Sequence, residues 1–200
     1  GYLIKEFFKN YFLYQSDVTF NMEVNSMKIH QNLAEPWSVT LVDTGENTMT
    51  GGRLKKVREY IKDEEVFCFT YGDGLGNIDI SALIKFHLNH GKDATLTAVR
   101  PPGRYGALKF GPKDIVESFQ EKPEGDGSWI NGGFFVINPP FFKFLEGDTS
   151  VLEKKPLETV TKLKEIKAFR HEGFWQCMDH KLDKDYLEQL ILEKKAPWIK

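Results

Sequence analysis

The stretch VFCFTYGDG, at residues 66–74, decides the fold of this chain. Its apolar part is nearly continuous, which is typical of a strand buried on both faces, as in a parallel sheet. The apolar residues of 80–90 have helical spacing, with Asp79 or Ser81 as the N-cap. Another strand pattern covers 94–99. A strand, a helix and a second strand in this order predict an α/β sheet that is mostly parallel in its first half.

Further patterns extend this alternation along the chain. Helical spacing covers 2–13, 53–61, 140–145 and 184–193, and strand spacing covers 18–24, 106–110, 115–120, 132–137 and 166–170. Ser150 and Glu153 have the spacing of a capping box, so a helix is predicted from Ser150 onward. We expect 106–110 and 115–120 to pair as a hairpin within an added β-layer at 101–137. The prediction is a Rossmann-like, mostly parallel mixed sheet flanked by helices, in one domain over residues 1–200.

The composition limits the classes of function. A chain of 200 residues with 40% hydrophobic content can bury a core. A net charge of −2 and a pI of about 6.3 argue against a general nucleic-acid surface. The two cysteines, Cys68 and Cys177, indicate neither a disulfide framework nor a zinc site and favour a cytoplasmic protein. We find no signal peptide, and no apolar run reaches the roughly 18 residues of a membrane span.

Asp73 is the first candidate for chemistry. It follows a predicted strand, and ligands of open α/β sheets bind beyond the carboxyl ends of their strands. Gly72 and Gly74 would let the backbone turn sharply and approach a ligand closely. A carboxylate at this place suits Mg²⁺, although glycine and aspartate are also common in ordinary turns.

Asp179 is the candidate for a second acid. It ends the string FWQCMD at 174–179, in which Phe174 and Trp175 are expected to pack at the edge of the core. Both acids, although distant in sequence, would serve one metal ion if the fold brings Asp179 beside Asp73. The structural alternative for Asp179 is the N-cap of the helix that follows.

Lys122 is the candidate cation. It lies between Glu121 and Pro123, and the proline favours an extended conformation at the lysine. A lysine held in this way acts as a point charge for a phosphate, whereas most Lys-Pro pairs lie in exposed loops. Downstream, Asn131 opens the string NGG, which suits either amide donors and close approach to a sugar or a tight turn.

The string TGGR, at 50–53, opens a predicted helix. The free N–H groups of a helix start, together with Arg53, suit an anion, and the hydroxyls of Thr48 and Thr50 would add contacts. The alternative is a capped surface helix. The string is not a Walker loop, and the five histidines show no metal-binding spacing.

Taken together, these strings resemble the sugar-phosphate nucleotidylyltransferases over nearly the whole chain. The strings are VTLVDTG (39–45), MTGGRLK (49–55), FTYGDG (69–74), PPGRYGAL (101–108), SFQEKPEGDG (118–127), INGGFF (130–135) and GFWQCMD (173–179). The EKP and NGG strings belong to the wider superfamily, whereas TGGR and FWQ are more particular to its cytidylyl branch.

The resemblance implies the nucleotide-diphospho-sugar transferase fold and a reaction in which CTP and α-D-glucose 1-phosphate give CDP-glucose and pyrophosphate. It implies that Asp73 and Asp179 bind Mg²⁺. Gly72, Thr48 and Arg53 would contact the nucleotide. It also implies a homo-oligomer whose product feeds the synthesis of 3,6-dideoxyhexoses for bacterial surface polysaccharide.

The same resemblance assigns the sugar phosphate to a second group of residues. Lys122 would hold it, with Glu121 and Asn131 nearby. Asp73, Lys122 and Asp179 are thus the expected catalytic residues.

One departure and three rival functions stay open. The family begins with a strand and a glycine-rich loop carrying an arginine, which this sequence lacks, so a protein that truly started at Gly1 is expected to be inactive or nearly so. The rivals are a dTTP- or UTP-using relative, a non-catalytic regulatory subunit, and a metal-dependent glycosyltransferase. The last usually carries an Asp-x-Asp string, which Gly72-Asp73-Gly74 does not supply.

Overall fold

The computed structural model describes residues 1–101, 107–120 and 129–199, which form two compact units, Gly1–Asn47 and Thr48–Lys200. The first unit contains α1 (Tyr2–Lys9), α2 (Tyr11–Tyr14), β1 (Ser16–Asn21) and β2 (Ser26–Asn32). The helices of the second unit are α3 (Thr50–Lys56), α4 (Ile80–His90), α5 (Lys155–Lys162) and α6 (Lys181–Leu192). Its strands are β3 (Phe67–Thr70), β4 (Gly74–Gly76), β5 (Ala94–Val99), β6 (Ala107–Phe110), β7 (Val116–Gln120), β8 (Ile130–Ile137), β9 (Ile166–Arg170) and β10 (Trp175–Cys177). Short 3₁₀ turns cover Arg58–Tyr60, Pro112–Asp114 and Pro139–Phe144.

The first unit is a helix pair followed by an antiparallel hairpin. The hairpin pairs β1 with β2, and the first strand ends earlier than the pattern at 18–24 predicts. The side chain of Asn21 accepts hydrogen bonds from the backbone amides of Glu23 and Val24, which turns the chain there. The predicted helix at 2–13 is present as α1 and α2.

The second unit is built on a four-stranded mixed sheet in the order β3-β8-β5-β9. Strand β8 runs antiparallel to both β3 and β5, and β9 is parallel to β5. Three strands therefore point the same way, and β8 runs against them. The run at 66–71 is not buried on both faces as the sequence suggested: among the described strands β3 pairs only with β8, and Cys68 and Thr70 are exposed.

Helices cover both faces of this sheet. Successive β8 side chains point to opposite faces, as strand geometry requires. Phe135 and Ile137 pack in one cluster with Leu54 of α3 and Val160 of α5. Val136 packs in the other cluster, which contains residues of α4. The α/β fold predicted from the sequence is confirmed.

Several local predictions are confirmed and others are wrong. Helix α4 has the predicted bounds, its Asp79 carboxylate accepts from the amide of Ala82, and Gly91 ends it in a left-handed conformation. The hairpin of β6 and β7 also forms. Strand β8, however, belongs to the main sheet, so the added β-layer is smaller than the expected 101–137. Helix α5 begins at Lys155 rather than near Ser150.

The candidate residues gather at one end of the strands of this sheet, which we call the ligand edge. Strands β3, β5 and β9 end there, and antiparallel β8 begins there. Asp73 lies just beyond the end of β3, and Asn131 lies near the start of β8. The edge is the place where α/β sheets bind ligands. None of the described helices is long and apolar enough to cross a membrane.

Candidate active site

A short strand pair brings the two candidate acids together. Strand β4, directly after Asp73, pairs antiparallel with β10, and Cys177 lies opposite Gly74. Beyond this pair, the amide of Met178 donates to the carbonyl oxygen of Asp73, with 2.8 Å between N and O. Asp179 is the next residue, and both acidic side chains are exposed. The fold thus places Asp179 one residue beyond the hydrogen bond to Asp73.

Asp179 does not cap the helix that follows it. The N-cap of α6 is His180, so the capping interpretation of Asp179 is wrong. The carboxylate of Asp183, in the first turn, accepts from the amides of Asp179 and His180 at 3.2 and 3.0 Å. Asp179 itself accepts a hydrogen bond from the Cys177 thiol, with 3.2 Å between sulfur and oxygen. These contacts hold the backbone on both sides of the Asp179 carboxylate.

The donors at this place fit a hard cation. Asp73 and Asp179 offer carboxylate oxygens, which Mg²⁺ prefers. Among the described residues, no three or more His, Cys, Asp or Glu side chains group as a metal cage. Magnesium commonly takes one or two protein carboxylates, together with waters and substrate phosphates, so a pair of acids is sufficient.

Gly72 leaves open space beside Asp73. A Cβ built on Gly72 would meet nothing within 4 Å, and its φ is not in the left-handed region. The chain does turn at Gly72 and Asp73, but neither Gly72 nor Gly74 has a positive φ, so the backbone conformation of this turn does not require glycine. The other expectation was that a ligand can approach the backbone closely, and the surface at Gly72 is open for such a contact.

Tyr71 connects two other segments to this edge. Its hydroxyl donates to one carboxylate oxygen of Glu153, with 2.5 Å between the oxygens, and the Thr50 hydroxyl donates to the other at 2.7 Å. The side-chain amide of Asn131 donates to the Tyr71 oxygen over a longer 3.4 Å. Burial, followed by the hydrogen bond to Glu153, raises the pKa of Tyr71 above its ordinary value. Tyr71 therefore stays a neutral hydrogen-bond donor.

Sequence analysis missed the roles of Tyr71 and Glu153. Glu153 was assigned to a capping box with Ser150, but the helix begins after it and its carboxylate binds Tyr71 and Thr50 instead. The available signal was the tyrosine directly before the GDG string, because a half-buried tyrosine hydroxyl requires a partner.

The NGG string has a packing function. The side-chain oxygen of Asn131 accepts from the amide of Gly133 at 2.9 Å, so that amide is engaged within the protein. Gly133 has a φ of 80°, and a Cβ there would lie 2.6 Å from the Tyr71 ring. The carbonyl oxygen of Gly132 accepts from the indole N–H of Trp175 at 2.8 Å. The string lies inside strand β8, at an irregularity in its pairing with β5, so the tight-turn interpretation is wrong and the two glycines permit close packing.

The start of α3 is packed rather than free. The amide of Gly52 donates to the carbonyl oxygen of Ser150 at 3.1 Å, and a Cβ on Gly52 would lie 2.8 Å from Asp148. The expectation of a free N–H group at Gly52 is therefore wrong. The Thr48 side chain is 6% exposed and its hydroxyl accepts from Lys56 at 3.1 Å, whereas Arg53 is exposed. Nucleotide contacts by Thr48 and Arg53 stay predictions.

Lys122 and Glu121 lie outside the described residues. The nearest described residue after them, Trp129, is contacted by two guanidinium groups. Arg100 lies 4.5 Å and Arg170 lies 5.5 Å from the centre of a Trp129 ring. Because the arginines follow β5 and end β9, these cation–π contacts attach the start of β8 to the same edge of the sheet.

A cavity of about 600 Å³ lies at this edge. Its lining residues are Arg100, His171, Glu172, Gly173, Phe174, Trp175, Gln176 and Tyr186. Trp175 joins the cavity to Gly132, which directly follows Asn131. The volume is within the usual range for small-molecule sites. Sequence analysis placed Phe174 and Trp175 at the core edge and did not predict the cavity.

Comparisons with known proteins agree with this geometry. A model of the family "Nucleotidyl transferase" matches residues 9–176. The chain is 58% identical over 99% of its length to glucose-1-phosphate cytidylyltransferase of Salmonella typhi, covering 77% of that protein. It is 37% identical to a probable glucose-1-phosphate cytidylyltransferase of Bacillus subtilis, over 90% of this chain and 69% of that one.

One solved structure shows the same fold at low sequence identity. It is a putative glucose-1-phosphate thymidylyltransferase from Bacillus anthracis, with 13% identity and a TM-score of 0.54. The match covers 78% of this chain and 64% of that chain. The position of the two acids at the β4–β10 pair, at the ligand edge of the sheet, is consistent with the family match. This chain belongs to the nucleotidyl transferase family.

Proposed function

We propose that this protein is a glucose-1-phosphate cytidylyltransferase, which converts CTP and α-D-glucose 1-phosphate to CDP-glucose and pyrophosphate. The observation that carries the proposal is the position of Asp73 and Asp179 at the β4–β10 pair. The choice of substrates is supported by the 58% identity to the Salmonella typhi enzyme. We further propose that the enzyme is cytoplasmic and homo-oligomeric. Its product would feed the synthesis of dideoxyhexoses for surface polysaccharide.

The reaction requires that the sugar phosphate is aligned with the α-phosphorus and that the negative charge of the phosphates is neutralised. An oxygen of the sugar phosphate attacks the α-phosphorus in line, the new O–P bond forms, and pyrophosphate leaves with the electrons of the broken P–O bond. The attacking oxygen is already anionic, so no strong general base is needed. Positioning and electrostatic stabilisation therefore supply most of the catalysis.

Each expected residue has a task in this proposal. Asp73 and Asp179 would hold Mg²⁺, which supplies positive charge to the phosphate oxygens when bound. Lys122, with Glu121, would bind the sugar phosphate, and Asn131 would contribute its side-chain amide. The cavity beside Trp175 has room for a hexose.

The nucleotide residues form a second group. Gly72 offers an open backbone surface, and Arg53 an exposed positive charge. Thr48 has its hydroxyl engaged by Lys56, so we propose that it contacts the nucleotide only after that bond changes.

Pyrophosphate release tests the proposal. The protein expressed from its complete reading frame is mixed with Mg²⁺, glucose 1-phosphate and one of CTP, dTTP, UTP or ATP. We expect release with CTP, and none when glucose 1-phosphate is omitted. Release with dTTP or UTP in place of CTP would identify a related transferase, and release of a nucleoside diphosphate would indicate a glycosyltransferase. No release with any nucleotide would favour a regulatory subunit.

A further inference from the structure

Glu153 receives two hydrogen bonds at the border of the candidate site. One carboxylate oxygen accepts from Tyr71 and the other from Thr50. The Thr50 hydroxyl in turn accepts from the amide of Leu152, so its proton is directed to Glu153. Segments that are distant in sequence thus meet at one carboxylate. The sequence pattern assigned Glu153 only to a capping box, which does not form, and the family match assigns it no role.

The Glu153 carboxylate determines the direction of the hydrogen bond that the Tyr71 hydroxyl makes. An ionised carboxylate can only accept, so the single hydroxyl proton of Tyr71 must point to Glu153. The Tyr71 oxygen is then left with acceptor capacity alone, and it receives the side-chain NH₂ of Asn131. The Asn131 oxygen is engaged by the amide of Gly133. The bond from Gly133 decides which end of the Asn131 amide carries the NH₂ group, and the Tyr71 oxygen adds a second contact that holds this group in place.

Among the residues that the structure describes, one hydrogen of the Asn131 NH₂ group has no assigned partner. The NH₂ group carries two donors, and Tyr71 takes one. A second donor at the ligand edge suits an oxygen acceptor, such as a phosphate or sugar oxygen.

We propose that Glu153 is a positioning residue, which acts through Tyr71 to keep the NH₂ group of Asn131 available to the sugar phosphate. The inference rests on the proposed function for the identity of the ligand. It does not depend on that function for the orientation of Asn131 in the ligand-free protein. Glu153 does not contact the reacting atoms in this account, and its effect reaches the site only through Tyr71.

The test separates the acceptor of Glu153 from its size. Glu153→Met keeps a side chain of similar length without an oxygen, and Glu153→Gln keeps one acceptor oxygen. Glu158→Gln, on the exposed face of α5, is the matched control. Tyr71→Phe removes the hydroxyl, and the double variant Tyr71→Phe/Glu153→Met completes a mutant cycle.

Two readouts are measured on each variant. The first is the side-chain NH₂ resonance pair of Asn131 in the ligand-free protein, assigned by its loss in Asn131→Asp. The second is KM for glucose 1-phosphate against kcat. We expect Glu153→Met to move the resonances as Tyr71→Phe does and to raise KM about tenfold, the effect of one lost hydrogen bond. The Gln variant is expected to lie closer to the unchanged protein, and the double variant to equal Tyr71→Phe.

Two results would overturn the inference. The first is that the Asn131 resonances do not move in Glu153→Met. The second is that the two substitutions have additive effects on KM in the double variant, because Glu153 would then act independently of Tyr71. If the unchanged protein releases no pyrophosphate, the proposed function fails instead, and the ligand-free resonances still decide the role of Glu153. If Glu153→Met does not fold, Tyr71→Phe alone must move the Asn131 resonances, or the inference is wrong.

Discussion

The amide of Met178 donates a hydrogen bond to the carbonyl oxygen of Asp73, at 2.8 Å. This bond extends the β4–β10 pair by one step beyond Cys177 and Gly74. It fixes the backbone that carries Asp179 against the backbone that carries Asp73. The spacing of the two backbone positions that carry the acids therefore depends on main-chain hydrogen bonds.

Replacing either acid by its amide is expected to stop turnover without unfolding the protein. Asp73→Asn and Asp179→Asn keep size and shape but remove negative charge from the proposed Mg²⁺ site. Because both side chains are exposed, stability should change little. Turnover should fall by about 100-fold or more, the range seen when one electrostatic contact to the transition state is lost. Steady-state kinetics and thermal unfolding measure the two effects.

Asp185→Asn is the control for this pair of variants, since Asp185 is an exposed acid on α6. Its turnover should equal that of the unchanged protein. Metal-dependent turnover that survives in Asp73→Asn would remove Asp73 from the site.

Lys122→Ala is expected to weaken glucose 1-phosphate binding more than CTP binding. A lysine that binds phosphate as a point charge contributes to affinity wherever that phosphate is bound. We expect KM for glucose 1-phosphate to rise about tenfold, with a smaller change in KM for CTP. Lys109→Ala, at an exposed position of β6, is the control. Unchanged KM and kcat for the sugar phosphate would exclude Lys122.

Two glycines near the site are expected to respond to alanine in opposite ways. Gly133→Ala places a Cβ 2.6 Å from the Tyr71 ring at a φ of 80°, so it should destabilise the protein by about 2 kcal/mol or more. Gly72→Ala meets nothing within 4 Å and should leave stability unchanged. Urea unfolding compares the two variants.

The same pair also tests the nucleotide contact. If the CTP phosphates approach the backbone at Gly72, Gly72→Ala should raise KM for CTP in a protein of normal stability. A normal KM in Gly72→Ala would show that the nucleotide does not contact this surface.

We expect His90 to lower the free energy of unfolding at acidic pH. Burial lowers its pKa below the ordinary value of 6.5, and the neighbouring His87 and Lys167 add to the effect. The unfolded chain then binds the proton more tightly than the folded one. The stability that neutral His90 contributes is therefore present above pH 6.5 and is lost as the pH falls from there toward the folded pKa.

Urea unfolding at a series of pH values measures this effect. His90→Gln should flatten the decline of the unfolding free energy below pH 6.5. His180→Asn, at the exposed N-cap of α6 where asparagine is also favoured, should keep the decline. An identical pH dependence in His90→Gln and the unchanged protein would contradict the assignment.

The local signals in the sequence were sufficient where neighbouring residues decide the structure. Asp79 and Gly91 define the ends of α4, because a cap and a left-handed glycine act within one turn. Strand β5 and the hairpin of β6 and β7 were predicted for the same reason. Asp73 lies beyond the carboxyl end of β3 as predicted, because it directly follows its strand.

The errors arose where distant pairing decides the structure. The apolar run at 66–71 indicated a central strand, but partner strands cannot be read from composition, and β3 has only β8 beside it among the described strands. Glu153 has capping-box spacing with Ser150, yet a tyrosine far earlier in the chain competes for its carboxylate. The short strands β4 and β10 have no hydrophobic period of their own, so the contact that holds Asp179 could not be predicted.

Strand β10 performs two tasks with very few residues. Trp175 forms a wall of the cavity and bonds to Gly132, and the residues that follow carry the second acid. Directed evolution for larger or differently shaped sugars would naturally target this wall. Any substitution that shifts β10 by a fraction of a step would also displace Asp179. If Asp179 and this cavity act as proposed, substrate range and catalytic rate are linked, and a library that changes Trp175 should be screened for both at once.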